Sequence, residues 1–240
     1  MILTITILLQ LSQIYAMNLP GLSPEDYKMN HKFDILMSYI ESEGIGTSFD
    51  YYEVGFCPMA RPASELYKVK NFGEALNIEH WIVSPYSDDH ALVLGKNETC
   101  RQLCTTTYSK ATQARLGVLA SRGFEYKLMI DDLPSATVIP AENTTTQHNN
   151  PNIVYNKGIR VAKWNPLKSK VEGGLGVSSV NNHLIMTIDY HKDSTKAVRI
   201  VGFDVEAKSV DWPIGKSCEG DIDSLPLAYY DTDKQIEFTY

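Results

Sequence analysis

What this chain lacks narrows it first. No apolar run after residue 16 approaches the roughly 20 residues that a helix needs to cross a bilayer, and there is neither an internal repeat nor a heptad run. Basic residues are in deficit, 22 Lys and Arg against 29 Asp and Glu, for a net charge of -7. A nucleic-acid partner, which wants a basic face, is therefore not expected. No Gly-x-Ser-x-Gly elbow and no His-Glu-x-x-His pair occurs, so the usual signatures of a serine hydrolase or a zinc peptidase are missing. Gly173-Gly174-Leu175-Gly176 is glycine-rich, but neither dinucleotide nor P-loop spacing follows it, and a flexible connection between strands is the better reading. Cysteine is scarce, with 4 in 240 residues. No second Cys pair accompanies Cys100-x3-Cys104, which speaks against a structural zinc site.

What is present begins with Ile2 to Ile14, an apolar run closed by Tyr15-Ala16 and followed by polar text from Asn18. It reads as a secretory leader over residues 1–16, cleaved after Ala16, although only the α-amino group supplies positive charge ahead of the run. The competing reading is a buried N-terminal strand or helix. Export would put the four cysteines, Cys57, Cys100, Cys104 and Cys218, in an oxidising compartment as two disulfides. It would also make Asn97-Glu98-Thr99 and Asn143-Thr144-Thr145 N-glycosylation acceptors, with Asn97 and Asn143 on the surface. On a regular helix Cys100 and Cys104 would hold their Cβ atoms about 5–6 Å apart. A disulfide wants about 3.8 Å, so each is expected to reach a distant partner, Cys57 or Cys218, unless the segment is looped.

Residues 17–240 suffice for one large domain or two small β lobes. Period-2 alternation marks strands at His31 to Ile40, with Phe33, Ile35, Met37 and Tyr39 on one face, and at Phe124 to Ile130. Asp50 to Phe56, Trp81 onward, Ala91 to Leu94, Val154 to Trp164, His183 to His191 and Lys196 to Ser209 also read as strands. Glu41 to Phe49, carrying Gly44 and Gly46, reads as a loop, and Thr144 to Pro151 as a mobile one. The clearest helix is Ser109 to Arg122, capped by Ser109 and stopped by Gly123. The expected fold is β-rich (all-β or α+β), sandwich-like, with short strands and one modest helix near 109–123.

Each titratable cluster has a blander role than catalysis. His183 and His191, eight apart on one strand, share a face but sit about 26 Å from each other, too far for one site. Asp131-Asp132 before Leu133-Pro134 suits a turn. His80-Trp81 is better read as a half-buried pair. No catalytic, cofactor-binding or metal-ligating residue is expected, and no cofactor. Three functions remain: a non-enzymatic domain, a freestanding secreted binding module using Trp81, Tyr86 or Trp164 (for instance on glycans), and a divergent hydrolase for which the sequence offers no convergent groups.

Short words of sequence in fixed order carry a resemblance. They are Leu19-Pro20-Gly21-Leu22-Ser23-Pro24, Tyr51-Tyr52-Glu53-Val54-Gly55-Phe56-Cys57, Glu98-Thr99-Cys100-Arg101-Gln102-Leu103-Cys104 and Ile130-Asp131-Asp132-Leu133-Pro134. Asn182-His183-Leu184 with Ile188-Asp189-Tyr190-His191, Arg199 through Val210, Ser217-Cys218 and Phe238-Thr239-Tyr240 continue the series. Together they resemble the N-terminal lumenal region of the nonaspanins, the transmembrane nine superfamily. The resemblance runs from about Leu19 to Tyr240. It implies a lumenal domain at 17–240 that stops short of the family's membrane helices. It implies a full-length protein of the Golgi or endosomal membrane that sorts membrane-protein cargo through that missing membrane part. It supplies no active site. Some nonaspanins keep the partner of Cys57 at the position of Cys104 and lack the equivalent of Cys100. The resemblance therefore implies Cys57–Cys104 and Cys100–Cys218 as the two bridges.

Overall fold

The computed structural model describes residues 25–58, 62, 67–68, 81–139, 152–154, 158–165, 177–194, 196–213, 215–216, 218–219, 221–222, 225–229 and 234–240. The expected leader, His80, Asn143, the 144–151 loop and the 173–176 glycines lie outside these residues. In chain order the strands begin with β1 (Lys32–Phe33), β2 (Leu36–Ser38), β3 (Ile40–Ser42), β4 (Ile45–Phe49), β5 (Tyr67–Lys68), β6 (Trp81–Val83), β7 (Leu92–Val93) and β8 (Gln102–Thr107). They continue with β9 (Glu125–Tyr126), β10 (Leu128–Ile130), β11 (Leu133–Pro134), β12 (Ala136–Ile139), β13 (Asn152–Val154), β14 (Ile159–Arg160) and β15 (Ala162–Asn165). The last four are β16 (Val177–Val180), β17 (His183–Lys192), β18 (Val198–Lys208) and β19 (Gln235–Thr239), and the described helix is α1 (Lys110–Ser121). The fold is β-rich, as expected, with the helix at the anticipated place.

Three larger sheets form: β13-β12-β18-β17-β19-β8, β11-β10-β2-β6-β5 and β14-β9-β3-β4, with β1-β7 and β15-β16 as two-stranded ribbons. One main core runs through them, from Phe33 and Ile35 through Tyr51, Leu116, Phe124 and Phe203 to Phe238 and Tyr240. The backbone of the six-stranded sheet is the long antiparallel pair β17–β18. In β18 the buried apolar side chains are Val198, Ile200, Phe203 and Val205, a spacing of two, three, two. A strand cannot keep that series on one face without an extra residue. The ladder supplies it: Asp189 faces Gly202 and Tyr190 faces Ile200, which leaves Val201 as the bulge, 62% exposed. A Cβ on Gly202 would stand 3.0 Å from the Asp189 carboxylate, so the close approach at the bulge favours glycine there.

α1 begins as read, with the Ser109 hydroxyl accepting from Thr112 N–H. It ends where Gly123 takes φ +67 and Phe124 N–H reaches back to Leu119 C=O. Leu116, Leu119 and Ala120 face the core, and the helix packs on β15 and β16.

Three expectations need correction. His31 to Ile40 is not one strand but parts of three, β1, β2 and β3, each in a different sheet. Glu41 to Phe49 is not a loop but the β3–β4 hairpin, with Gly44 at φ +80 in its turn and Ile40 facing Phe49; glycine marked the turn and not a whole loop. Asp50 to Phe56 is not a strand but holds a 3-10 turn, Tyr51–Glu53, capped by the Asp50 carboxylate on Tyr52 N–H. Its aromatics are core-facing: the Tyr51 ring meets Phe56 at 4.8 Å and Tyr126 at 5.4 Å.

Candidate functional site

Several of the family-like words of the sequence, those around Cys57, Cys104, Asn182 and Phe238, meet at the β8–β19 end of the six-stranded sheet. Cys57 follows the Tyr51–Glu53 turn and bonds to Cys104 on β8, Cα atoms 5.8 Å apart. Cys100 bonds to Cys218 with Cα atoms 5.5 Å apart. These are the two pairs that the resemblance implied. Cys100 and Cys104 do not share a helix, however. Cys100 precedes β8 and Cys104 lies within it, and four residues of extended chain put them about 13 Å apart. Strand geometry is therefore what sends each to a distant partner. β19 runs antiparallel to β8, with Phe238 opposite Cys104, and the Phe238 ring meets Phe56 edge-on at 5.9 Å. Tyr240 and Arg101 exchange both backbone hydrogen bonds, at 2.7 and 3.0 Å.

Beside these bridges is a buried polar clasp. Asn182, 1% exposed, donates through Nδ2 to the carbonyls of Val210 at 2.8 Å and Glu237 at 2.7 Å. Its Oδ1 accepts from Val210 N–H at 2.8 Å, and its own carbonyl accepts from Thr239 N–H at 2.9 Å. The next residue, His183, hydrogen-bonds through Nδ1 to the Thr239 hydroxyl at 2.8 Å, and the same hydroxyl accepts from Trp212 Nε1 at 3.1 Å. The His183 and Trp212 rings meet edge-on. Burial, helped by the nearby Lys208 ammonium, pushes His183 down to about 4. The imidazole is thus neutral at physiological pH, where it serves the clasp through its hydrogen bond to Thr239. Three segments, before β17, after β18 and along β19, are held by one asparagine and one threonine.

A groove of about 430 Å³ opens next to the clasp, between residues 92–99 and the first half of β17, with Tyr240 at one end. Burial pushes the Tyr240 phenol up to about 12, and its hydroxyl meets His90 Nδ1 at 3.4 Å. His90 itself is held below its ordinary value by burial and by Arg101. On the groove's rim the Lys96 ammonium closes on the Glu98 carboxylate, and Arg101 stands 3.7 Å from the same carboxylate. Asn97 is exposed on that rim.

The other expectations are placed as follows. Asp131 and Asp132 both take left-handed φ, 49° and 59°, and form the two-residue turn between β10 and β11, with Ile130 opposite Leu133. Asp131 also accepts from the Tyr27 hydroxyl at 2.6 Å. Burial and that hydrogen bond raise the Tyr27 phenol. His183 and His191 both lie on β17, the first buried and the second exposed. Two of the three aromatics offered as exposed binding residues are not exposed. Trp81 is buried on β6 and Tyr86 is 1% exposed against Tyr240; Trp164, at 44%, remains on the surface. Among the described residues no group of three His, Cys, Asp or Glu is arranged to hold a metal ion, and no helix is long and apolar enough to cross a membrane.

The sequence does not mark Asn182, Trp212 and Glu237 as partners; Asn182-His183 and Phe238-Thr239-Tyr240 stand in it only as family-like words. An asparagine before a strand reads as loop polarity, and nothing local signals that it bridges residues 28 and 55 positions away.

The Endomembrane protein 70 family model matches residues 48–240. The chain is similar to Transmembrane 9 superfamily member 9 of Arabidopsis thaliana, 27% identical over 209 residues, which is 86% of this chain and 30% of that protein. It is 28% identical to member 8 of the same plant over 82% of this chain and 28% of that protein. To Transmembrane 9 superfamily member 3 of Saccharomyces cerevisiae it is 25% identical over 79% of this chain and 24% of that protein. The chain thus spans less than a third of these relatives' length. No solved structure matches.

Proposed function

The chain belongs to the Endomembrane protein 70 family, that of the transmembrane 9 proteins, and from this premise we propose that it is a non-enzymatic lumenal domain. In this reading residues 1–16 are a cleaved leader and residues 17–240 fold in the lumen. The whole protein sorts and localises other membrane proteins along the Golgi and endosomal route. Cargo is engaged through membrane helices, and the lumenal part docks and braces. One observation carries the reading. Residues of the family-like words tie segments together: Cys57 is bridged to Cys104, Arg101 and Tyr240 exchange backbone hydrogen bonds, and Asn182 and His183 are hydrogen-bonded to Thr239. The test is loss of the gene product in its own cells. Membrane proteins whose transmembrane helices are rich in glycine or charge should leave their normal compartment, and an unchanged distribution would refute the sorting role. N-terminal sequencing of the secreted chain should begin at Met17; a start at Met1 would remove the leader.

A glycan-binding module has less support. Of the aromatics it could use, Trp81 and Tyr86 are buried, and Trp164 alone of the three is exposed.

A further inference from the structure

Charge is divided unevenly along this acidic chain. Residues 105–124 and 154–171 contain eight Lys and Arg and no Asp or Glu, which leaves 14 of the 22 basic residues and all 29 acidic ones to the rest. The fold brings the two stretches together, since α1 packs on β15. Two of the cations are occupied. The Arg115 guanidinium lies over the Phe49 ring, 5.1 Å from its centre, and donates to the Glu53 carbonyl; Arg160 stands opposite Glu125. Lys110, Arg122 and Lys163 are exposed and, among the described residues, belong to no ion pair. Lys157, Lys168 and Lys170 lie outside the described residues. On α1 every fourth residue, Lys110, Ala114, Val118 and the cap Arg122, lies on the solvent side, away from buried Leu116, Leu119 and Ala120. That row is about 18 Å long. It has a cation at each end and apolar groups between, Val118 being 48% exposed. Trp164, 44% exposed, stands on the strand that α1 packs against. Lys110 also breaks a local rule: a cation in the first turn opposes the helix dipole, and no acid there offsets it. Local rules are broken most often where a residue serves function.

We propose that the outer face of α1, with Trp164 beside it, is a docking surface for a bilayer containing anionic phospholipid. The makeup of the face selects the occupant. Cations that flank an apolar row, with an indole at the side, are what an interfacial helix presents to headgroups and the acyl boundary. Lys110 and Arg122 can extend their charges to the phosphates while their stems, Ala114 and Val118 lie against the boundary. An acidic peptide would meet the cations and leave Val118 and Trp164 in water. The rest of the chain is strongly acidic and is repelled by such a membrane, so the charge distribution also sets which pole faces it. The attraction is modest, about fivefold in binding for each Lys or Arg near the surface. The choice of a bilayer rests on the reading of this chain as part of a membrane protein. Vesicle binding and cargo distribution are separate measurements, so either can fail alone.

The experiment mixes the intact chain with vesicles of phosphatidylcholine alone, or with about 30% phosphatidylserine added, and reads binding by sedimentation and tryptophan emission. Trp81 and Trp212 are 7% and 6% exposed, so a blue shift on binding reports Trp164. Anionic vesicles should bind at least about tenfold more tightly than neutral ones at low salt, and the difference should fade toward about 1 M salt, where screening is strong. Lys110→Glu with Arg122→Glu should weaken anionic binding about tenfold or more. Lys28→Glu with Lys192→Glu makes the same change of net charge at exposed residues near the Tyr27–Val198 bridge, and should leave binding within about twofold. Trp164→Ala should abolish the shift. Lys110→Glu alone suits the helix dipole and should raise the unfolding midpoint, so its loss of binding is not loss of fold. If the double variant does not fold, Lys110→Glu and the salt series decide. Four results would overturn the proposal: no binding to either vesicle, equal binding to both, indifference to reversal of Lys110 and Arg122, or binding of soluble polyglutamate without binding of vesicles.

Discussion

Replacing Asn182 tests the clasp with two substitutions, one that deletes the carboxamide and one that exchanges its NH2 group for oxygen. Asn182→Ala removes three side-chain hydrogen bonds and leaves the Val210 N–H, the Val210 carbonyl and the Glu237 carbonyl without their partner in a buried site. Each orphaned group costs about 1–3 kcal/mol, and a water entering the small space left behind recovers part, so the net loss should be about 3–5 kcal/mol. Asn182→Asp keeps the shape and the acceptor for Val210 N–H, but sets a carboxylate oxygen against two carbonyl oxygens with no hydrogen between them. At pH 7 it should cost at least as much as the alanine. On acidification it should recover about 1–3 kcal/mol as the protonated carboxyl donates to one carbonyl. The sign follows from linkage. In the folded state this carboxyl is harder to ionise than the about 3.9 of an unfolded aspartate. Stability is then highest below about pH 3.9 and falls as pH rises through the folded-state value, opposite to an ordinary salt-bridged aspartate. Urea unfolding followed by tryptophan fluorescence, with Trp212 at the clasp as reporter, gives both quantities from the midpoint at constant slope. An alanine variant within about 1 kcal/mol of the parent, or an aspartate variant whose pH profile parallels it, would refute the account of Asn182 as the peg that holds three segments.

His183, held neutral down to about pH 4, is depressed relative to an unfolded histidine near 6.5, so the unfolded chain binds the proton first. His183→Gln should flatten a stability decline of at most about 3 kcal/mol between pH 6.5 and 4, with no effect of this group above pH 6.5; equal slopes in parent and variant would contradict this. Replacing both Cys57 and Cys104 by Ala should lower unfolding free energy by about 4 kcal/mol for a 47-residue separation. The Cys100 and Cys218 pair, 118 apart, should cost about 5 kcal/mol; a larger loss for the shorter loop in denaturant titrations would argue against the chain-entropy reasoning. Asn97 is exposed on the groove rim, so in a secretory host Asn97→Gln should remove one glycosidase-sensitive mobility step, and an unchanged gel pattern would remove the site.

Much of the architecture could be read because the signals were local. Ser109 and Gly123 bracket α1 by capping chemistry that acts within a few residues. The spacing of Val198, Ile200, Phe203 and Val205 already contained the bulge at Val201 for a reader who insists on one buried face. β8 escaped notice because Gln102–Thr107 is rich in threonine and has few apolar residues. The Asp50–Phe56 stretch misled because its aromatics look strand-like, whereas Asp50 caps a turn that sends Tyr51 into the core. The clasp could not be read at all. Its bonds join positions 28, 55 and 56 residues apart, and no periodicity encodes a meeting between three segments.

The two bridges interlace. Cys100 falls inside the loop closed by Cys57 and Cys104, and Cys104 falls inside the loop closed by Cys100 and Cys218. A chain made from its N-terminus into an oxidising lumen therefore meets a choice of timing. Cys57 is presented first with Cys100, the wrong partner, and only four residues later with Cys104, while Cys218 trails Cys100 by 118 residues. At about 5–20 residues per second that gap lasts roughly 6–24 s, within the seconds-to-hours range over which disulfides form and reshuffle. The thiol of Cys100 must stay unpaired through that interval, or be released from Cys57 afterwards. Folding of this chain is thus tied to the exchange capacity of the compartment that receives it. Where isomerase is short, the first product to accumulate should be the Cys57–Cys100 isomer, whose β8 is anchored through the wrong cysteine and cannot align Cys104 with Phe238.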